Sequence, residues 1–113
     1  MFSLGSQHQY FLYRSPVDMR KGFNGLYGMV INELDRDPVS GEVFVFVNRN
    51  RNLIKLLHWE KGGFVVYYKR LEKGTFLLPE ERDDGVLEWP ELVLMVEGIQ
   101  VDGYRQRPRY TPG

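Results

Sequence analysis

Between Val43 and Leu71 the chain carries three runs rich in Val, Phe, Ile, Leu and Tyr, broken only at Asn48–Asn52 and Lys61-Gly62-Gly63. Side chains of these types suit extended, partly buried backbone, so Val43–Asn48, Leu53–Trp59 and Phe64–Leu71 read as strands. The two breaks are hairpin-like, which makes the strands antiparallel neighbours in a meander. In the second strand Lys55, Leu57 and Trp59 share one face, and Ile54, Leu56 and His58 the other. In the third, Val65, Tyr67 and Lys69 oppose Val66, Tyr68 and Arg70. Each face carries apolar groups, so the pattern leaves the inner face open.

Upstream, Tyr10–Tyr13 (YFLY) reads as a further short strand, broken by Ser15-Pro16 because proline lacks an amide hydrogen. Phe23, Leu26, Tyr27, Val30, Ile31 and Leu34 then recur at helical spacing and predict one amphipathic helix. Asp18 is placed to cap its first turn. Gly25 and Gly28 weaken it by up to ~1 kcal/mol each, and their spacing points to a face where another element packs closely. Asp37-Pro38 and Ser40-Gly41 turn the chain. Downstream, Pro79–Gly85 is an acidic loop and Val86–Trp89 an expected edge strand. Pro90 fits the first turn of a short helix ending at Glu97, with Gly98 as its stop and Leu92, Val93 and Val96 as its buried side. The tail DGYRQRPRYTPG has no core pattern.

These elements fit one α+β domain over residues 1–101, an antiparallel meander with one main helix and a short C-terminal helix, followed by a basic, flexible tail over 102–113. The 113 residues allow no second domain. No apolar run is long enough to span a bilayer. MFSLGSQHQY lacks a basic segment and a long apolar core, so no signal peptide is expected and the cytoplasm is the expected compartment. There are no cysteines, hence no disulfides or thiolate ligands.

The formal charge is zero, but it is unevenly distributed. Residues 49–73 hold seven Lys/Arg against Glu60 and Glu72, a net +5, whereas 80–102 hold eight acids against Arg82, a net −7. Partners respond to such local fields rather than to the total. Within the cationic band, Trp59, Phe64, Tyr67, Tyr68 and Phe76 supply rings that either pack a core or stack on bases. Three readings fit the band: contact with nucleic acid, an acidic protein partner, or a solvated sheet face.

Catalytic chemistry has little to stand on. His8 and His58 lie in no metal-binding spacing. The acid pairs Asp35/Asp37 and Asp83/Asp84 fall in turn-like segments rather than on rigid elements converging on one point. Gly22, Gly25 and Gly28 make no dinucleotide fingerprint, since no βαβ unit is expected around them. No catalytic residue, cofactor or metal is assigned, and no enzyme is expected.

Several segments together carry a specific resemblance. SPVDMRKGFNGL (15–26), DPVSGEVFVFVNRNRNLIKLLHWEKGGFVVYYKRLEKGTF (37–76) and LVLMVEGI (92–99) closely resemble the small TnpB accessory proteins of bacterial insertion sequences of family sixty-six. That family is distinct from the RNA-guided nucleases that share the name. The strongest matches are Asp18-Met19-Arg20-Lys21-Gly22, Phe44-Val45-Phe46 with Asn48-Arg49, Lys55-Leu56-Leu57, and Tyr68-Lys69-Arg70-Leu71-Glu72 with Gly74 and Phe76. The chain departs from the family pattern at Asn50, Thr75 and Leu78, which alters loop charge.

The resemblance implies an element-encoded accessory to transposition, made beside a separate catalytic transposase. Combined with the cationic band, it predicts a non-catalytic bacterial mobile-element protein that binds DNA and partners the transposase of the same element. Arg20, Lys21, Arg49, Arg51, Lys55, Lys69 and Arg70 are the candidate nucleic-acid contacts, with Arg suited to bidentate phosphate binding and Lys acting as a point charge. The alternative is a protein–protein adaptor that binds the transposase without touching DNA.

Overall fold

The computed structural model describes residues 4–81 and 84–97. Its centre is a five-stranded sheet built from β1 (Tyr10–Tyr13), β2 (Val43–Val47), β3 (Leu53–Glu60), β4 (Gly63–Arg70) and β5 (Val86–Leu87), in the order β4-β3-β2-β1-β5. Helices α1 (Phe23–Asn32) and α2 (Trp89–Glu97) complete it. The meander β2-β3-β4 is antiparallel as expected, and β5 pairs antiparallel with β1 at the edge.

One pairing departs from the antiparallel expectation. β1 runs parallel to β2, with Tyr10 opposite Val43 and Tyr13 opposite Phe46. Parallel neighbours need a long crossover, and α1 supplies it. A βαβ unit therefore exists where none was expected, so that ground for dismissing a dinucleotide fingerprint fails. The glycines themselves still do not form one. Gly22 is the N-cap of α1 and Gly25 and Gly28 lie inside the helix, whereas the fingerprint sets its glycines in the tight strand-to-helix turn.

Both sheet faces are covered, which is why neither could be read as the outside. On one face Phe11, Phe44, Phe46 and Leu57 pack with Val17 and with Leu26 and Val30 of α1. On the other, Tyr10, Leu12, Val43, Val45, Ile54 and Leu56 pack with Leu87, Phe76 and Leu92 and Met95 of α2. Central strand β2 (VFVFV) is buried at all five positions, as a strand between two layers must be.

The helices bury less than their patterns imply. On α1 only Leu26 and Val30 are buried, while Phe23, Tyr27 and Ile31 are 51%, 39% and 42% exposed. Gly28 faces no tightly packed element, and the nearest atoms to a Cβ on Gly25 would be those of the aliphatic stem of Lys21. Asp18 does not cap α1, whose N-cap Gly22 makes no side-chain bond. On α2 the buried pair is Leu92 and Met95; Val93 and Val96 are half-buried.

Loop chemistry fixes the register. Between β3 and β4, Lys61 and Gly62 sit at φ 38° and 85°. Two successive positive values match the twist of a tight hairpin, and a non-glycine residue adopts them at a cost. No described helix is long and apolar enough to cross a membrane. The tail 102–113 lies outside the described residues.

Candidate nucleic-acid interface

The β2–β3 hairpin tip, Asn48 to Asn52, is held by its own asparagines. Asn48 Oδ1 accepts from the Asn52 and Leu53 amides at 3.0 and 2.9 Å, and Asn48 Nδ2 donates to Asn52 Oδ1 at 2.7 Å. The Arg51 amide donates to the Asn48 carbonyl at 3.1 Å, and the Arg51 carbonyl accepts from the Phe76 amide at 2.6 Å. Arg51 takes a left-handed conformation, φ 58°, of the kind that completes such hairpins. Phe76 is fully buried, so its contact ties the tip to the core. Arg49 and Arg51 are thus exposed side chains on an ordered loop.

Beside this tip lies the turn Asp18–Lys21, closed by the Lys21 amide donating to the Asp18 carbonyl at 3.1 Å. Arg20 Nη2 and Nε donate to the Asp18 carboxylate at 2.7 and 3.1 Å, and the Arg20 amide adds a bond of 2.9 Å. The guanidinium and amide of Arg20 hold the Asp18 carboxyl down to about 2, and the pairing raises Arg20. Instead of capping the helix, Asp18 holds Arg20 outward, with 91% of its side chain accessible.

An open groove of about 510 Å³ joins the two turns, lined by Asp18, Met19, Arg20, Asn48, Arg49, Asn50, Leu53 and Tyr68. Arg49 also borders a smaller recess of about 160 Å³ with Arg51 and Arg14. Arg14, which the sequence reading passed over, donates to the Pro79 carbonyl and so holds the chain beyond Phe76 against this end of the sheet.

The remaining candidate cations have other partners. Lys55, 8% exposed, donates through Nζ to the Met19 and Lys21 carbonyls at 2.8 Å each, with its ammonium 4.5 Å from the centre of the Tyr68 ring. It ties β3 to the 18–21 turn. Lys69 lies on the opposite sheet face, where Nζ donates to the Val96 carbonyl at 2.8 Å. It thereby supplies the cation that the last turn of α2 lacks. Arg70 pairs with Glu72 at 2.9 Å, both exposed. The seven candidates do not form one patch: Arg20 and Arg49 share a groove that Arg51 adjoins, Lys21 is exposed on the 18–21 turn, Lys55 is buried beneath, Arg70 lies opposite Leu53 and pairs with Glu72, and Lys69 stands on the other face.

The rings divide in the same way. Phe76 and Tyr67 pack toward α2, Trp59 and Phe64 meet edge-on at 4.9 Å, and Tyr68 is 53% exposed in the groove. His58 is buried, with Nε2 and Nδ1 each 3.1 Å from an acceptor, the Gly41 carbonyl and Glu60 respectively. His8 lies 4.8 Å from it; burial and then the His58 charge lower the His8 pKa, partly offset by Glu60. Asp37 and Asp84 accept from the amides two residues on, closing local turns; Asp83 lies outside the described residues. No group of three or more potential ligands able to hold a metal occurs among the described residues.

The family described as IS66 Orf2-like protein matches residues 8–106. The uncharacterized protein y4jC of Sinorhizobium fredii is 33% identical over 98 residues, 86% of this chain and 84% of that protein. A second uncharacterized protein of the same organism, y4hO, is 29% identical over 100 residues, 88% and 87% of the two chains. No solved structure gives a significant match. The match spans the βαβ unit, the meander and the hairpin that carries Arg49 and Arg51, and the chain belongs to the IS66 Orf2-like family of insertion-sequence proteins.

Proposed function

We propose that this protein is a non-catalytic accessory of insertion-sequence transposition that contacts nucleic acid through the hairpin end of its sheet. The observation that carries the reading is the convergence of Arg20 and Arg49 on one groove with Tyr68, with Arg51 and Arg14 next to it. Exposed guanidinium groups on ordered turns bind phosphates at little ordering cost. The non-catalytic part is supported by three acids that bond locally, Asp18 to Arg20, and Asp37 and Asp84 to amides of their own turns. The transposase of the same element is the expected protein partner, and the bacterial cytoplasm the expected compartment.

A second reading, an adaptor docking on the transposase, is favoured by the exposed Phe23, Tyr27 and Ile31 on α1, a helix with no charged residue from 23 to 32. Titrating labelled element-end DNA, beside a pull-down with the transposase, separates the two. Binding that Arg49→Gln weakens supports nucleic-acid contact. No DNA binding at low salt, with a transposase complex abolished by Tyr27→Asp, establishes the adaptor instead.

A further inference from the structure

Among the rings of the cationic band, Tyr68 stands apart. It is 53% exposed, it lies in the same groove as Arg20, Arg49 and Asn50, and it is backed by a fixed cation. That cation, Lys55, is pinned by two carbonyl oxygens, so the ring rests on a support anchored in β3 and the 18–21 turn. Core packing does not account for so exposed a ring. An aromatic face flanked by guanidinium groups is the arrangement that holds an unpaired base, with the ring stacking on the base and the cations meeting the phosphates on either side. In a duplex the base faces are already stacked on their neighbours, so a ring can reach one only after the base is extruded.

We infer that the groove binds single-stranded nucleic acid, with one unpaired base stacked on Tyr68 and the adjoining phosphates at Arg49 and Arg20. The inference rests on the nucleic-acid reading above and narrows its ligand to a strand with exposed bases. Arg20 reaches such a phosphate by exchanging its Asp18 partner, which sits on the same rim. Asn50, also on the rim, carries a carboxamide able to donate to and accept from a base edge.

The test measures fluorescence anisotropy of the full chain at low salt with labelled oligothymidylate, oligouridylate and a duplex of the same length. Tyr68→Phe, Tyr68→Leu and Arg49→Gln are compared with the parent, and thermal melts confirm that each variant is folded. The proposal expects either single strand to bind more tightly than the duplex. Tyr68→Phe should keep that affinity, and Tyr68→Leu should lose at least about fivefold of it. A deoxy strand preferred over a ribo strand, or the reverse, identifies the source of the strand. A duplex bound as tightly as both single strands, with Arg49→Gln weakening it and Tyr68→Leu without effect, overturns the single-strand proposal and leaves nucleic-acid contact standing. No binding to any of the three overturns both.

Discussion

Replacing Lys55 by Met separates a structural strut from a phosphate ligand. The side chain keeps its length and apolar stem but loses the ammonium that bonds the Met19 and Lys21 carbonyls and faces the Tyr68 ring. Hydrogen bonds from a charged donor contribute about 1.5–3 kcal/mol each, and a cation over a ring about 0.5–2 kcal/mol. These are net values, in which the cost of desolvating the ammonium is already counted. Lys21 is exposed and Met19 half-buried, so water replaces part of the bond energy but not the tie between β3 and the turn. The net loss is about 2 kcal/mol, a fall in Tm of roughly 8 °C for a domain of this size. Urea and thermal unfolding measure it, and hydrogen exchange should show the amides of residues 18–21 opening first. Unchanged or increased stability would refute the argument, because the two bonds would then only balance the burial of the charge. A loss of DNA affinity as large as that of Arg49→Gln, at unchanged stability, would make Lys55 a ligand rather than a strut.

Two further outcomes follow from the loops and the histidine pair. Lys61→Asn should raise stability by about 0.5–1 kcal/mol in urea unfolding, since asparagine tolerates the left-handed conformation that Lys61 adopts at φ 38°. The His8 pKa is lowered below 6.5 in the fold, so the folded state disfavours its charged form; stability should be full above pH 6.5 and decline as pH falls below it. His8→Gln should flatten that part of a plot of Tm against pH.

Much of the fold was legible because local pattern and tertiary placement agreed. Runs rich in Val, Phe, Ile, Leu and Tyr mark β2, β3 and β4 as strands, and Lys61-Gly62-Gly63 marks the hairpin between the last two. The parallel β1–β2 pair was missed because short loops announce antiparallel neighbours, whereas a crossover is signalled only by the long helix-bearing link between Tyr13 and Val43. The helical stripe was read correctly as a period, but period does not say how wide a face the sheet offers, so Phe23, Tyr27 and Ile31 remain exposed. Exposure was legible where charge sits outside the regular elements, at Arg20, Arg49 and Arg51. The partners of Lys55 and Lys69 were not legible, because they are main-chain carbonyls brought near by the fold and invisible to residue type. The outward hold of Asp18 on Arg20 was likewise hidden, since an Asp before a helix ordinarily signals a cap.

The salt dependence of DNA binding tests the central claim most directly, because it counts the cations that meet phosphates. With Lys55 and Lys69 bonded to main-chain carbonyls, about three or four cations at the hairpin end remain to meet phosphates. The slope of log K against log salt should then lie between about −2 and −4. Arg49→Gln and Arg51→Gln should each flatten it by about one unit, and Lys69→Met should leave it unchanged. A slope indifferent to both arginine changes, or flattened equally by Lys69→Met, would contradict a nucleic-acid contact centred on the hairpin end.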